Sequence, residues 1–139
     1  MQPLQLRSEH LAAIVAHAKE TVPGECCGLI GGASNYQAHS IYRLRNVTPN
    51  PEVAYEAAPE ELFAAQRQMR ERGEELLAIY HSHPRAMDPR PSETDVRLAF
   101  YPSAVYFIVG LGGNEAVVSA FKISEKDHQW HQVEYVIVD

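Results

Sequence analysis

His81-Ser82-His83 places two imidazoles two residues apart, directly after the apolar run Leu76-Leu77-Ala78-Ile79-Tyr80. A run this short with such clear bounds predicts a buried strand. Side chains alternate across a strand, so His81 and His83 share one face and Ser82 takes the other. Two imidazoles converging at a strand end suit Zn²⁺, which accepts nitrogen and carboxylate ligands. Asp95, further along, offers a third donor and would leave the fourth position to water, the arrangement of a catalytic zinc. A plainer reading stands beside this one. A lone His-x-His also arises where histidines simply end a strand. Ser92-Glu93-Thr94-Asp95, before Val96, Leu98 and Ala99, has the form of a helix N-cap with an acid at the third position. The two readings are compatible, because a capped helix start is a rigid mount for a ligand.

The elements that must hold these residues follow from periodicity. Leu4-Gln5-Leu6 alternates and predicts a short strand. Ser8 is placed to cap a helix whose buried face is Leu11, Ile14, Val15 and Ala18, ending before Pro23-Gly24. His10 and His17 fall on that helix and read as part of a solvated face. Glu25 to Gly32 reads as a compact strand, with Gly28 marking close backbone approach by a neighbour. A second strand is expected from Ala38 to Val47, with Ile41, Leu44 and Val47 inward. Residues 46–58 form a loop. Pro59 starts a helix that runs to about Arg72, presents Leu62, Phe63, Gln66 and Met69, and closes at Gly73. A helix from Ser92 to about Phe100 follows the histidine stretch. Strands are then expected over Ala104–Val109, Ala116–Ile123 and Gln132–Val138, with Trp130 packed on the sheet. His128 and His131 face different sides there and make a poor ligand pair. This order predicts one α/β domain over residues 1–139, a mixed sheet flanked by helices.

Composition narrows the function. Apolar residues make up 45% and charged residues 22%, which is ordinary for a soluble globular chain. The net charge of −6 and the absence of a basic stripe argue against a nucleic-acid partner. No apolar run approaches the roughly 20 residues of a membrane helix. The opening stretch carries Arg7, Glu9, Lys19 and Glu20 and lacks the form of a secretory signal, so a cytoplasmic location is expected. Cys26 and Cys27 are adjacent and read as reduced, buried side chains. A homodimer is compatible with the sequence, which does not specify one.

His81-Ser82-His83, then Ser92-Glu93-Thr94-Asp95, with Glu25 opening Glu-x-Cys-Gly upstream, closely resembles the JAMM/MPN metallopeptidases. Pro84 and Gly31-Gly32 fit the same pattern, and the likeness spans the whole chain. One departure is visible: eight residues, Pro84 to Pro91, separate His83 from Ser92, one more than the family usually has. The extra residue should be absorbed in what reads as a mobile, proline-rich loop, where Asp88 is a rival carboxylate. The resemblance implies an MPN-type, cytidine-deaminase-like three-layer sandwich holding one Zn²⁺ on His81, His83 and Asp95. It implies Glu25 as general base and Ser92 as donor to the oxyanion. Read alone, Glu25 after Pro23-Gly24 is a surface turn residue. The branch resembled is the stand-alone prokaryotic one. It implies hydrolysis of an amide bond at the Gly-Gly tail of a ubiquitin-like β-grasp or sulfur-carrier protein.

Other classes fit less well. Metallo-β-lactamase-type sites need His-x-His-x-Asp-His, and Arg85 and Ala86 occupy the last two places. Amidohydrolase barrels need about 250 residues. Zinc deaminases need a Pro-Cys-x-x-Cys that is absent. The non-enzymatic rival is an MPN scaffold module, which shares the fold but usually lacks the ligands present here.

Overall fold

A strand that is apolar on both sides needs a layer on each face, and that requirement organises the chain. The computed structural model describes residues 2–99, 101, 103–124 and 126–139. Its elements are β1 (Leu4–Leu6), α1 (Ser8–Thr21), β2 (Cys27–Gly32), β3 (Ala38–Leu44), α2 (Pro59–Glu71) and β4 (Glu75–His83). They continue with α3 (Glu93–Arg97), β5 (Val105–Gly110), β6 (Val117–Ser124), β7 (Gln129–Val133) and β8 (Tyr135–Ile137). Among the described residues, six strands form one sheet in the order β3-β2-β4-β5-β6-β7. The β4–β5 pair is parallel and the other pairs are antiparallel. The expected mixed sheet between helical layers is therefore present.

Alternation sends neighbouring residues into two cores. Cys26, Tyr80 and Phe107 pack with Ile14 and Ala18 of α1 on one face. Cys27, Ile79 and Tyr106 pack with Ala65 and Met69 of α2 and Val96 of α3 on the other. Both cysteines are buried and free, one in each core. Because Ile79 faces α2 and α3, so do His81 and His83, two and four residues on. No helix among the described residues is long and apolar enough to cross a membrane.

Several expectations need correction. Arg7, not Ser8, is the α1 N-cap. The Ser8 hydroxyl instead donates to the Asp139 carboxylate, at 3.0 and 2.9 Å. The α1 histidines have structural partners: His10 Nδ1 accepts from the Arg7 N–H, and His17 Nδ1 lies 2.7 Å from the Tyr80 hydroxyl. A Cβ on Gly28 would sit 2.3 Å from the Tyr80 ring, so an aromatic side chain approaches there rather than backbone. β3 ends at Leu44, leaving Val47 39% exposed while Tyr42 enters the core. On α2, Phe63 is 64% exposed, and Ala65 is inward in its place. The final strand breaks at Glu134, so that β7 finishes the large sheet and β8 pairs parallel with β1. α3 stops at Arg97, and Phe100 lies outside the described residues.

The loop after β4 is not free. The Gly112 N–H donates to the Ala86 carbonyl at 2.8 Å, and Pro89 is fully buried against Gly110. The longer His83–Ser92 connection is thereby anchored to the end of β5, and the spare residue does not loosen it.

Candidate metal centre

β4 carries His81 and His83 to the edge of the α2/α3 face, and α3 begins opposite them. Its start is fixed by a reciprocal capping box. The Asp95 N–H donates to Ser92 Oγ at 3.1 Å, and the Ser92 N–H donates to Asp95 Oδ2 at 2.8 Å. That exchange satisfies orphan helix donors and aims one carboxylate oxygen at β4. Asp95 Oδ2 lies 3.1 Å from both His81 Nε2 and His83 Nε2. The two nitrogens are 3.3 Å apart.

Three close donors need a cation to be mutually satisfied. If both Nε2–H groups donate to Asp95, the nitrogen–nitrogen contact sets two donors against each other. Ligands bound about 2.0–2.1 Å from a tetrahedral ion sit about 3.3 Å from one another, which is the spacing found here. The residues present therefore fit a metal ion. Asp88, the rival, has a side chain 70% exposed and pairs with Arg90 at 2.9 Å.

Glu25 completes the cluster and is no surface residue: it is only 4% exposed. It lies just before β2, where its N–H donates to the Pro51 carbonyl and its own carbonyl accepts from Asn46 Nδ2 at 2.9 Å. One ligand atom each from Glu25, His81 and His83 lie within 4.8 Å of one another. Glu25 Oε1 is buried with no hydrogen-bond partner among the described residues. Burial pushes the Glu25 pKa up, against the partly compensating pull of the His81 and His83 charges. Asp95 goes the other way: burial opposes its charge, but both histidines and the Ser92 N–H hold it well below the usual carboxylate range. Burial also works against a charged His83, yet Asp95 beside it leaves its pKa raised.

Residues 7–124 match the family described as prokaryotic homologs of the JAB domain. The chain belongs to that family. As a JAB domain it is 35% identical over 115 residues to the desampylase of Haloferax volcanii, covering 79% of this chain and 82% of that one. It is 34% identical over 107 residues to the CysO-cysteine peptidase of Mycobacterium tuberculosis, covering 76% and 72%. A JAB1/MPN domain protein from Archaeoglobus fulgidus superposes with a TM-score of 0.66 at 21% identity, over 98% of this chain and all of that one, and so shares the fold.

Three residues of this JAB domain carry supporting contacts that spacing alone does not reveal. Ser82, between the histidines, accepts from the Cys26 N–H at 2.8 Å and ties the Glu25 segment to β4. Asn46 holds the Glu25 carbonyl from the far end of β3. Tyr55 stacks on the His81 ring at 4.6 Å and 25°, from a stretch that in sequence reads only as a loop. His81 Nδ1 is buried without a hydrogen-bond partner among the described residues, so the Tyr55 stack holds this imidazole together with the Asp95 contact at its Nε2.

Proposed function

We propose that the chain is a zinc metallopeptidase that hydrolyses an amide bond at the C-terminal Gly-Gly tail of a ubiquitin-like β-grasp or sulfur-carrier protein. The observation that carries this reading is the convergence of His81, His83 and Asp95 at ligand spacing, with the buried Glu25 carboxylate beside them. The names of the relatives, a desampylase and a CysO-cysteine peptidase, support the hydrolytic class and the kind of substrate.

His81, His83 and Asp95 would hold Zn²⁺, which when bound acidifies water and polarises a carbonyl. The remaining work belongs to the protein. Glu25 accepts a proton from the attacking water and returns it to the departing amine as the C–N bond breaks, so a carboxylate and an amine are released. A carboxylate whose pKa is raised takes the proton from water more readily than an ordinary one, and the departing amine, a stronger base than any carboxylate, takes it on. The Ser92 hydroxyl donates to the developing oxyanion. By accepting from the Asp95 N–H it uses a lone pair and keeps its own proton for that role.

The test is direct. A β-grasp protein ending in Gly-Gly plus a short C-terminal extension is incubated with the zinc-loaded chain and weighed by mass spectrometry. The expected product ends at Gly-Gly. An intact substrate mass at stoichiometric enzyme counts against the reading.

A further inference from the structure

A cavity of about 470 Å³ opens beside the metal centre, and the reaction as derived leaves it unused. It is lined by the buried Leu29 and Ile79 of the central strands, by Leu62 and Leu98, and, where it meets the metal centre, by Tyr55 and Asp95. Leu29 and Ile79 are buried core, whereas Leu98 is 48% exposed, so an apolar side chain of the lining stands open to solvent beside the catalytic cluster. Protein interiors are close-packed, and a recess this large falls within the roughly 300–1,000 Å³ range of ligand sites. Tyr55 links recess and metal centre, since the same residue lines the cavity and stacks on His81.

What fills it follows from the tail chemistry of the proposed function, on which this inference rests. Gly-Gly puts no side chain on the acyl side for two residues. An extended chain advances about 3.3 Å per residue, so the nearest acyl-side side chain begins roughly 7–10 Å from the bond. The residue that departs with the amine is immediately adjacent to it. We propose that this cavity receives the side chain of that leaving residue and selects an apolar one. Glu56 also lines the cavity and is exposed, which further disfavours an acidic residue there.

The experiment uses the zinc-loaded chain and β-grasp substrates whose tails read Gly-Gly-X before a fixed extension, with X as Leu, Ala, Glu or Lys. Leu should exceed Ala by about tenfold or more in kcat/KM, with Glu lowest. Ala54, another lining residue, tests occupancy: A54F should abolish the Leu advantage. L98E, at an exposed lining position and so compatible with folding, should reverse the order and favour Lys. Equal rates for every X, or a parental order kept by both variants, overturns the subsite. So does a preference that tracks the residue upstream of Gly-Gly instead. If no member of the series is cleaved, the peptidase reading falls and the subsite with it; cleavage without preference removes the subsite alone.

Discussion

Glu25 shows how far residue types alone can be read. Its position ahead of a paired histidine and a capped aspartate is visible in sequence, but its burial is not. Pro23-Gly24 marks a turn, and turns usually face water. Here the carbonyl of Pro51 and the side chain of Asn46 hold the backbone, and the carboxylate turns inward with one oxygen unpaired among the described residues. Neither partner lies at a helical or strand spacing from Glu25, so periodicity had no means of finding them. Burial has a thermodynamic consequence. A carboxyl whose folded pKa is raised stabilises the fold fully below its unfolded pKa and loses that contribution as pH rises through the folded value. Metal-free Glu25→Gln should therefore melt above the metal-free parent at pH 8, and the gap should close as pH falls below the raised Glu25 value. Each kcal/mol of difference corresponds to roughly 3–5 °C in Tm for a domain of this size. Melting curves over that pH range check it, and a variant less stable at pH 8 would contradict the buried-charge account.

At the scale of elements, β4 and α3 are the parts most legible beforehand. A short apolar run ending in His-x-His predicts the strand, and Ser-x-x-Asp predicts the cap; both are present. The errors fall where tertiary contacts override local pattern. Gly28 yields to the Tyr80 ring, Phe63 is left outside while Ala65 packs, and the last strand divides between two sheets. The loop from Pro84 to Pro91, rich in proline and long for its family, reads as mobile, yet Gly112 and the buried Pro89 fasten it. The α3 cap links element to chemistry, because the Ser92 hydroxyl accepts the N–H of the residue whose carboxylate faces the histidines. Ser92→Ala should lose about 1 kcal/mol of stability from the cap and, in addition, about 100-fold or more in kcat from the oxyanion donor. Ser92→Thr should restore most of the stability. Denaturant titration and steady-state kinetics separate the two effects. A kcat loss no larger than the stability change explains would leave Ser92 only its cap.

Across the whole molecule, the metal centre is assembled from three places far apart in the chain: the approach to β2, the end of β4 and the start of α3. Each faces the same layer because the sheet alternation that buries Ile79 and Cys27 against α2 and α3 also directs the histidines there. The fold is shared by scaffold modules as well as peptidases, so function is decided at the cluster and not by the architecture. An ion that binds only the folded state adds stability by mass action, and its removal should lower Tm by an amount that grows with the logarithm of its affinity. A scaffold would tolerate chelation without consequence. The claim that three side chains hold zinc while Glu25 moves the proton separates metal binding from turnover. Zinc content and cleavage rate of purified Glu25→Gln, measured on one sample, test that separation. The variant should keep about one zinc per chain, as three protein ligands require, while cleavage falls at least about 100-fold. A variant that is empty of zinc, or one that cleaves as fast as the parent, would contradict it.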